Sequence, residues 1–326
     1  MMVSPKEMTT TSILTVIRDL RILVIGDLML DYYIWGDVHR ISPEAPVPVI
    51  HVTKDTHTAG GGANVALNLA SLGASVSLIG SLGEDDASAK LLTLLAAADI
   101  NTRVCFLNPE IPTIVKTRVI ARNQQLCRID REGPRPAYAL QDFSALESAI
   151  HGADAIILSD YAKGVITQPL VDTVIALANQ HGKLVAIDPK PASQLRYHGI
   201  DLITPNRHEA LELAGLPEPG IGGRYPLEEI CRRIHEIYSP RHLVITLGAE
   251  GMAICRNGVV HKVLPTRARE VFDVSGAGDT VIATLTAALA AGADADSAAH
   301  FANQAAGIVV SKMGTATPTP AELLAN

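Results

Sequence analysis

The stretch Val271–Asp279, V-F-D-V-S-G-A-G-D, runs into Thr280–Ala291, T-V-I-A-T-L-T-A-A-L-A-A, and then Gly292. With no proline inside and a glycine at its end, the second segment predicts a helix beginning near Gly276, entered from a strand-like run through a turn with two glycines. Such a helix presents the N–H groups of Gly276, Ala277 and Gly278 without intrahelical partners. Together with the helix dipole they form a site for an anion, and the small side chains let a phosphate approach the backbone. Asp279 falls in the first turn, beside that anion. A phosphate repels a carboxylate, so the useful arrangement has Asp279 facing a hydroxyl about to attack the phosphate, as its general base. The plainer alternative is that Asp279 complements the dipole and the glycines shape a turn.

Working outward, Arg21–Asp27, R-I-L-V-I-G-D, is an apolar run ended by Gly-Asp, as expected of a parallel strand buried on both faces. Ligands of open α/β sheets bind beyond the carboxyl ends of the strands, which places Asp27 and Asp31 where a substrate would sit. A dinucleotide-binding enzyme would carry G-x-G-x-x-G directly after that strand, and this chain does not. Ser75–Gly80 reads as another buried strand and Asp86–Ala98 as a helix. From residue 153 four apolar runs, Ala155–Leu158, Leu184–Ile187, Leu202–Thr204 and Leu243–Thr246, each end in polar or glycine residues. Helical stretches such as Pro169–Gln180 and Leu227–Tyr238 separate them, and the last helices span about Asp296 to Lys312. The expected fold is α/β: a doubly wound, mostly parallel sheet with helices on both faces, in one domain over residues 1–326.

Two β-rich stretches interrupt this rhythm, at about residues 32–53 and 112–131. Pro43, Pro46 and Pro48 confine the first to edges or loops. We read the pair as one small sheet, a lid over the substrate cleft, rather than as edge strands of the main sheet. An apolar face on such a lid would need cover, which predicts a homodimer through paired lids. Between them, Ala59–Gly73 is a glycine turn, with Gly60 and Gly61, that opens a helix. Asn64 there offers a donor and an acceptor to sugar hydroxyls.

A formal net charge of −7, with scattered Lys and Arg, argues against nucleic acid and anionic membranes and for small-molecule partners. The four cysteines, Cys105, Cys127, Cys231 and Cys255, form no C-x-x-C pair and read as buried, unpaired thiols of a reducing compartment. No signal peptide or membrane-length apolar run is present, so a cytoplasmic protein is expected, with residues 1–12 flexible.

Over nearly its whole length the chain resembles the ribokinase-like, or PfkB, carbohydrate kinases. The strongest match is D-V-S-G-A-G-D at Asp273–Asp279, where the resemblance implies Asp279 as general base, Gly276–Gly278 as the anion hole and Ser275 as a nucleotide contact in place of the commoner Thr. Gly60–Asn64 matches the family's sugar-binding glycine motif. Asn206-x-x-Glu209 matches the motif that organises magnesium and phosphates, usually through water. Thr246–Gly251, with Gly248 and Gly251, looks like the nucleotide loop, and Asn303 with Ala306 lies where the family flanks adenine. Within the family, Arg40–Pro48, Arg122–Leu126, Ser159–Val165 and Asp188–Lys190 are most similar to kinases of D-glycero-β-D-manno-heptose 7-phosphate in lipopolysaccharide core synthesis. Those kinases are often fused to an adenylyltransferase, and this chain reads as the stand-alone kinase.

The resemblance implies Mg-ATP as cosubstrate and, as in many members, a response to potassium through carbonyls near Val271 and Gly314. The expected sugar-side residues are Asp27, Asp31, Gly60, Gly61, Asn64 and Asp160. A doubly charged phosphate tail calls for cations, and Lys116, Arg118, Arg128, Lys163 and Lys190 lie on lid segments or strand ends. The helix dipole is expected to lower the pKa of Asp279, leaving it a weak base that accepts a proton late in a loose transition state. The competing readings are a fructose-phosphate kinase, a non-catalytic sugar or nucleotide sensor, which has no need of Asp279, and a dehydrogenase.

Overall fold

A computed structural model describes residues 6–122, 124–220, 222–268 and 271–325. After helix α1 (Thr10–Ile17), strand β1 (Arg21–Gly26) enters the core. The chain then leaves through two long strands, β2 (Leu28–Ile41) and β3 (Pro48–Gly61), and returns by helix α2 (Gly62–Ser71) to β4 (Ser75–Ile79). The short strand β5 (Ser81–Gly83), helix α3 (Asp86–Ala97) and short strand β6 (Phe106–Asn108) lead to β7 (Ile114–Ala121) and β8 (Gln124–Arg131). The alternating half follows as α4 (Leu146–Gly152), β9 (Ala155–Ser159), α5 (Gln168–His181), β10 (Leu184–Asp188), β11 (Leu202–Ile203), α6 (Arg207–Leu213), α7 (Leu227–Tyr238) and β12 (His242–Thr246). Strands β13 (Met252–Arg256) and β14 (Val259–Leu264) and helices α8 (Ala277–Ala290), α9 (Ala295–Val309) and α10 (Pro320–Ala325) complete it.

The main sheet has the order β14-β13-β12-β11-β10-β9-β1-β4. Its pairings are parallel from β4 through β12, and β13 and β14 are antiparallel additions at one edge. Successive strand residues point to opposite faces. In β1, Ile22 and Val24 join the core layer under α1, α2, α8 and α9, while Leu23 and Ile25 join the layer under α4, α5, α6 and α7. Burial on both faces is why the run is apolar without alternation.

The small sheet is separate, with order β3-β2-β7-β8, so the edge-strand alternative is excluded. It is longer than expected. β2 pairs with β3 from Leu28↔Gly61 to Ile41↔Pro48, which makes the Gly60-Gly61 turn the end of a lid strand. Pro48 opens β3, where its missing N–H leaves no ladder bond unmade. On its other side β2 pairs with β7 in parallel, with Asp31 opposite Lys116 and Tyr33 opposite Arg118.

Three expectations need correction. Cys231 on α7 and Cys255 on β13 are both buried and joined as a disulfide; Cys127 is exposed and Cys105 half-buried, so the set of four buried thiols does not hold. Residues 24 apart in sequence meet because α7 packs on the β13–β14 edge. Residues 1–5, like Asn123 in the Arg122–Leu126 stretch, lie outside the described residues. From Lys6 the chain is tied down: Lys6 exchanges backbone hydrogen bonds with Gly292 and Asp294, and a Thr9–Ser12 capping box starts α1. The last long helix ends at Val309 rather than Lys312.

Candidate active site

Helix α8 starts from Gly276, which has φ of +78° and whose Cβ, if present, would lie 2.6 Å from Asn64 Nδ2. Among the described residues no side chain caps α8, which leaves its first turn open to an anion. Ala277 departs from the expected set, since its N–H closes the turn on the Val274 carbonyl at 3.2 Å. The strand-like run before it is not a strand. Val271, Phe272 and Val274 are exposed, and the Phe272 and Asp273 N–H groups both donate to the Val310 carbonyl. Asp273 holds this loop, accepting from Ser275 N at 2.9 Å and from Gly314 N at 3.0 Å.

Asp279 is buried, with both carboxylate oxygens engaged: Oδ1 accepts from the Tyr161 hydroxyl at 2.5 Å and Oδ2 from Asn64 Nδ2 at 2.7 Å. The next residue, Thr280, donates its Oγ1–H to Asn68 Oδ1 at 2.8 Å, one turn along α2 from Asn64, and Asn68 Nδ2 donates to the Asn64 carbonyl, so two polar rungs fix α2 against α8. Burial pushes the Asp279 carboxyl up to about 6, against the lowering by Tyr161 and Asn64. This reverses the expected direction. A helix terminus contributes about 0.3–1 kcal/mol, and desolvation of a carboxylate outweighs it. The result is a better base near neutral pH.

The sugar-side candidates divide. Asp27 is buried, and its carboxylate accepts from the N–H groups of Tyr161, Lys163 and Val165 at 2.8, 3.0 and 3.0 Å. It anchors the loop after β9, fully buried, with both oxygens engaged by backbone N–H groups. Asp160 is likewise turned inward, accepting from Ala162 N and Ser193 Oγ, and burial raises its carboxyl to about 6. Asp31 is buried beside Gly60 and pairs with Arg118 at 2.6 Å. Gly61, at φ +59°, passes so close to Asp27 that a Cβ would lie 2.4 Å from its carbonyl oxygen.

On the lid, Lys116 and Arg118 lie two residues apart on one face of β7 and Arg128 on β8 stands opposite Arg118, while Lys163 comes from the loop after β9, whose Tyr161 ring lies 5.2 Å from Lys116 Nζ. Burial lowers the pKa of Lys116. Lys163 pairs with Glu132, and Arg128, exposed, pairs with Asp130. The fifth cation, Lys190, is near the same Tyr161 ring but committed to carboxylates. It pairs with Glu209 and lies close to Asp188 and Asp279. Asp188 is buried among these carboxylates and its pKa is pushed upward.

On the other side, Asn206 caps α6. Its Oδ1 accepts from His208 N and Glu209 N, while Glu209 Oε2 accepts from Asn206 N at 2.9 Å. The N-x-x-E motif is therefore a capping box, and Asn206 Oδ1 has both lone pairs in use. Each Glu209 oxygen keeps a free lone pair, a hard donor suited to a hydrated divalent cation rather than to direct ligation through Asn206. Asn206 bridges to Thr246, and the Gly248–Glu250 turn follows with Gly248 open to space. Asn303 Nδ2 donates to the Pro265 carbonyl at 2.7 Å, placing α9 against residues 265–268.

Sequence reasoning missed Tyr161, Asn68 and Thr280 as site residues. Asn68 had a signal, four residues after Asn64 on the same helix face. Tyr161 had only its position at a strand end.

A model of the pfkB family carbohydrate kinases matches residues 19–322. The chain is 47% identical over 312 residues to the bifunctional protein HldE of Halorhodospira halophila, covering 94% of this chain and 63% of that protein. It is 46% identical over 311 residues to the HldE of Chromohalobacter salexigens, covering 95% and 64%. The chain thus spans just under two thirds of these relatives. Among solved structures, Arabidopsis thaliana ribokinase complexed with ribose and ATP superposes with a TM-score of 0.77 at 20% identity, covering 94% of this chain and 98% of that one. A Thermotoga maritima ribokinase gives 0.73 at 22% identity with the same coverage. These two likenesses establish the ribokinase-like fold.

Proposed function

Because the chain belongs to the pfkB family of carbohydrate kinases and is thus a sugar kinase, we propose that it transfers the γ-phosphate of ATP to the anomeric hydroxyl of D-glycero-β-D-manno-heptose 7-phosphate. The product is the 1,7-bisphosphate, a step of lipopolysaccharide core synthesis. The observation that supports the reading is that the Tyr161 side chain links Asp279, at the uncapped start of α8, to Lys116 of the lid, whose Nζ is 5.2 Å from the ring, while Arg118 of the lid pairs with Asp31. A phosphosugar needs a base at one end and cations at the other.

In this reading the sugar lies between Asp279 and the lid, with its phosphate tail toward Lys116, Arg118 and Lys163 and its hydroxyls near Asn64 and Asp31. Asp279 takes the proton of the attacking hydroxyl on Oδ1 or Oδ2, each of which keeps a lone pair beyond its present hydrogen bond. The Gly276 and Gly278 N–H groups hold the transferred phosphoryl oxygens. The nucleotide would lie along Thr246, Gly248, Gly251, Ser275 and Asn303, and Glu209 with Asn206 would hold magnesium through water. Magnesium bound to ATP neutralises phosphate charge. Potassium would bind at carbonyls near Val271 and Gly314, the loops that Asp273 ties together. The lid carries exposed Ile41, Val47, Val52, Leu126 and Ile129, which supports a homodimer through it.

The test is a panel of heptose 7-phosphate, mannose 6-phosphate, fructose 6-phosphate, fructose 1-phosphate and ribose with Mg-ATP, the new phosphate located by phosphorus NMR. Heptose 7-phosphate should have the highest kcat/KM and gain an anomeric phosphate. Preference for a fructose phosphate or ribose, or phosphorylation elsewhere, would refute the assignment.

A further inference from the structure

The loop after β9 is held more firmly than a connection requires. Asp27 takes three of its N–H groups, Asp160 takes that of Ala162, and Ala162 itself sits at φ +54°, a conformation that costs energy for a residue with a Cβ. Two lysines lie against the Tyr161 ring. Lys116 Nζ of the lid is 5.2 Å from its centroid and Lys190 Nζ is 5.5 Å away. All these restraints fix one atom, the Tyr161 hydroxyl, against Asp279 Oδ1 at 2.5 Å.

We propose that Tyr161 is a positioning residue for Asp279, its hydroxyl orienting the carboxylate toward the sugar and keeping it ionised within a buried site. The inference rests on Asp279 being the base of the proposed transfer. A hydroxyl that donates to a carboxylate favours the charged form, and here it opposes the desolvation that raises Asp279. Charged groups reach Asp279 from each side: Asp31 on β2, Asp188 at the end of β10 and Lys190 beyond it, with neutral Asn64 on α2. Lys190 favours the ionised base and the two aspartates oppose it. Without the phenol, the two aspartates and burial would hold Asp279 protonated further into the neutral range.

The experiment is the pH profile of kcat/KM for the full chain with Mg-ATP and its best phosphosugar from the panel. Tyr161→Phe keeps the ring and its lysine contacts and removes only the donor. Its acid limb should move up by about one pH unit, with activity down roughly tenfold at pH 5, about twofold at pH 7 and restored at pH 9, and the KM for ATP unchanged. Site-specific 3-fluorotyrosine at position 161, a more acidic donor, should move the limb downward and covers the case in which the Phe variant folds poorly. An acid limb that stays put in both variants, or a loss in Tyr161→Phe that is equal at all pH values, overturns the proposal. Asp279→Asn separates the two levels. If it is inactive while the limb of the Tyr161 variants is unmoved, only the role of Tyr161 falls; if it is active, the assignment of Asp279 as base falls.

Discussion

Asp279→Asn should inactivate the enzyme and stabilise its fold. Burial raises the Asp279 carboxyl from the ordinary 3.8 to about 6, which corresponds to about 3 kcal/mol of folding free energy. The sign follows from linkage. A carboxyl raised on folding binds its proton more tightly in the native state, so its contribution is fully present below pH 3.8 and is lost as pH rises through about 6. Asparagine never ionises and escapes that loss. It can also keep both hydrogen bonds, with Oδ1 accepting from Asn64 and Nδ2 donating to a Tyr161 hydroxyl that turns to accept. Relative to the parent, the variant should therefore gain about 3 kcal/mol at pH 8 and about half that at pH 5. In a chain of this length the gain at pH 8 amounts to roughly 4–5 °C in Tm. Loss of the base should lower kcat by about 10²–10⁴-fold, with nucleotide binding retained. Thermal unfolding of both proteins at pH 5 and pH 8, with turnover and nucleotide titration, checks each part. A variant less stable than the parent at pH 8, a gain that does not grow with pH, or a turnover loss below tenfold would refute the reasoning.

Asp27→Asn turns an amide Nδ2 toward at least one of the three N–H groups that donate to the carboxylate; an unpaired buried donor costs about 1–3 kcal/mol, partly offset because burial already disfavours the charged carboxyl, so an unfolding free energy lowered by about 1 kcal/mol or more is expected. Raised sugar KM without loss of stability would instead place Asp27 on the substrate. Glu209→Ala removes the carboxylate that partners Lys190 and Asn206 N; magnesium titrations of activity should shift to about tenfold higher concentration, and an unchanged titration would remove Glu209 from the metal's surroundings. Ile129→Glu puts a charge on an exposed apolar lid position; sedimentation should show a dimer in the parent and a monomer in the variant, and two identical profiles would exclude that face as the interface.

The sequence alone determined the main strands and helices and the position of Asp279. A strand buried on both faces must be an apolar run, so the sheet strands from Arg21 onward were readable from composition. Helix α8 was readable from an uninterrupted apolar segment after two glycines, which also put Asp279 in its first turn. The separate lid was readable because its prolines and alternation do not fit a central parallel strand. What the tertiary structure decided is which groups face one another across long separations. Asp27 and Asp31 look alike in sequence, yet the loop after β9 brings three N–H groups to the first, and β7 brings Arg118 to the second. Lys190 was grouped with the phosphate-tail cations by residue type; the register of β10 beside β11 sets it against Glu209 instead. The meeting of Cys231 and Cys255 required α7 to pack on the sheet edge. The rise in the Asp279 carboxyl has the same origin. The helix dipole is local and visible in the sequence, but desolvation depends on the carboxylate being buried against α2 and the loop after β9, which bring Asn64 and Tyr161 from 215 and 118 residues away, and that larger effect set the direction.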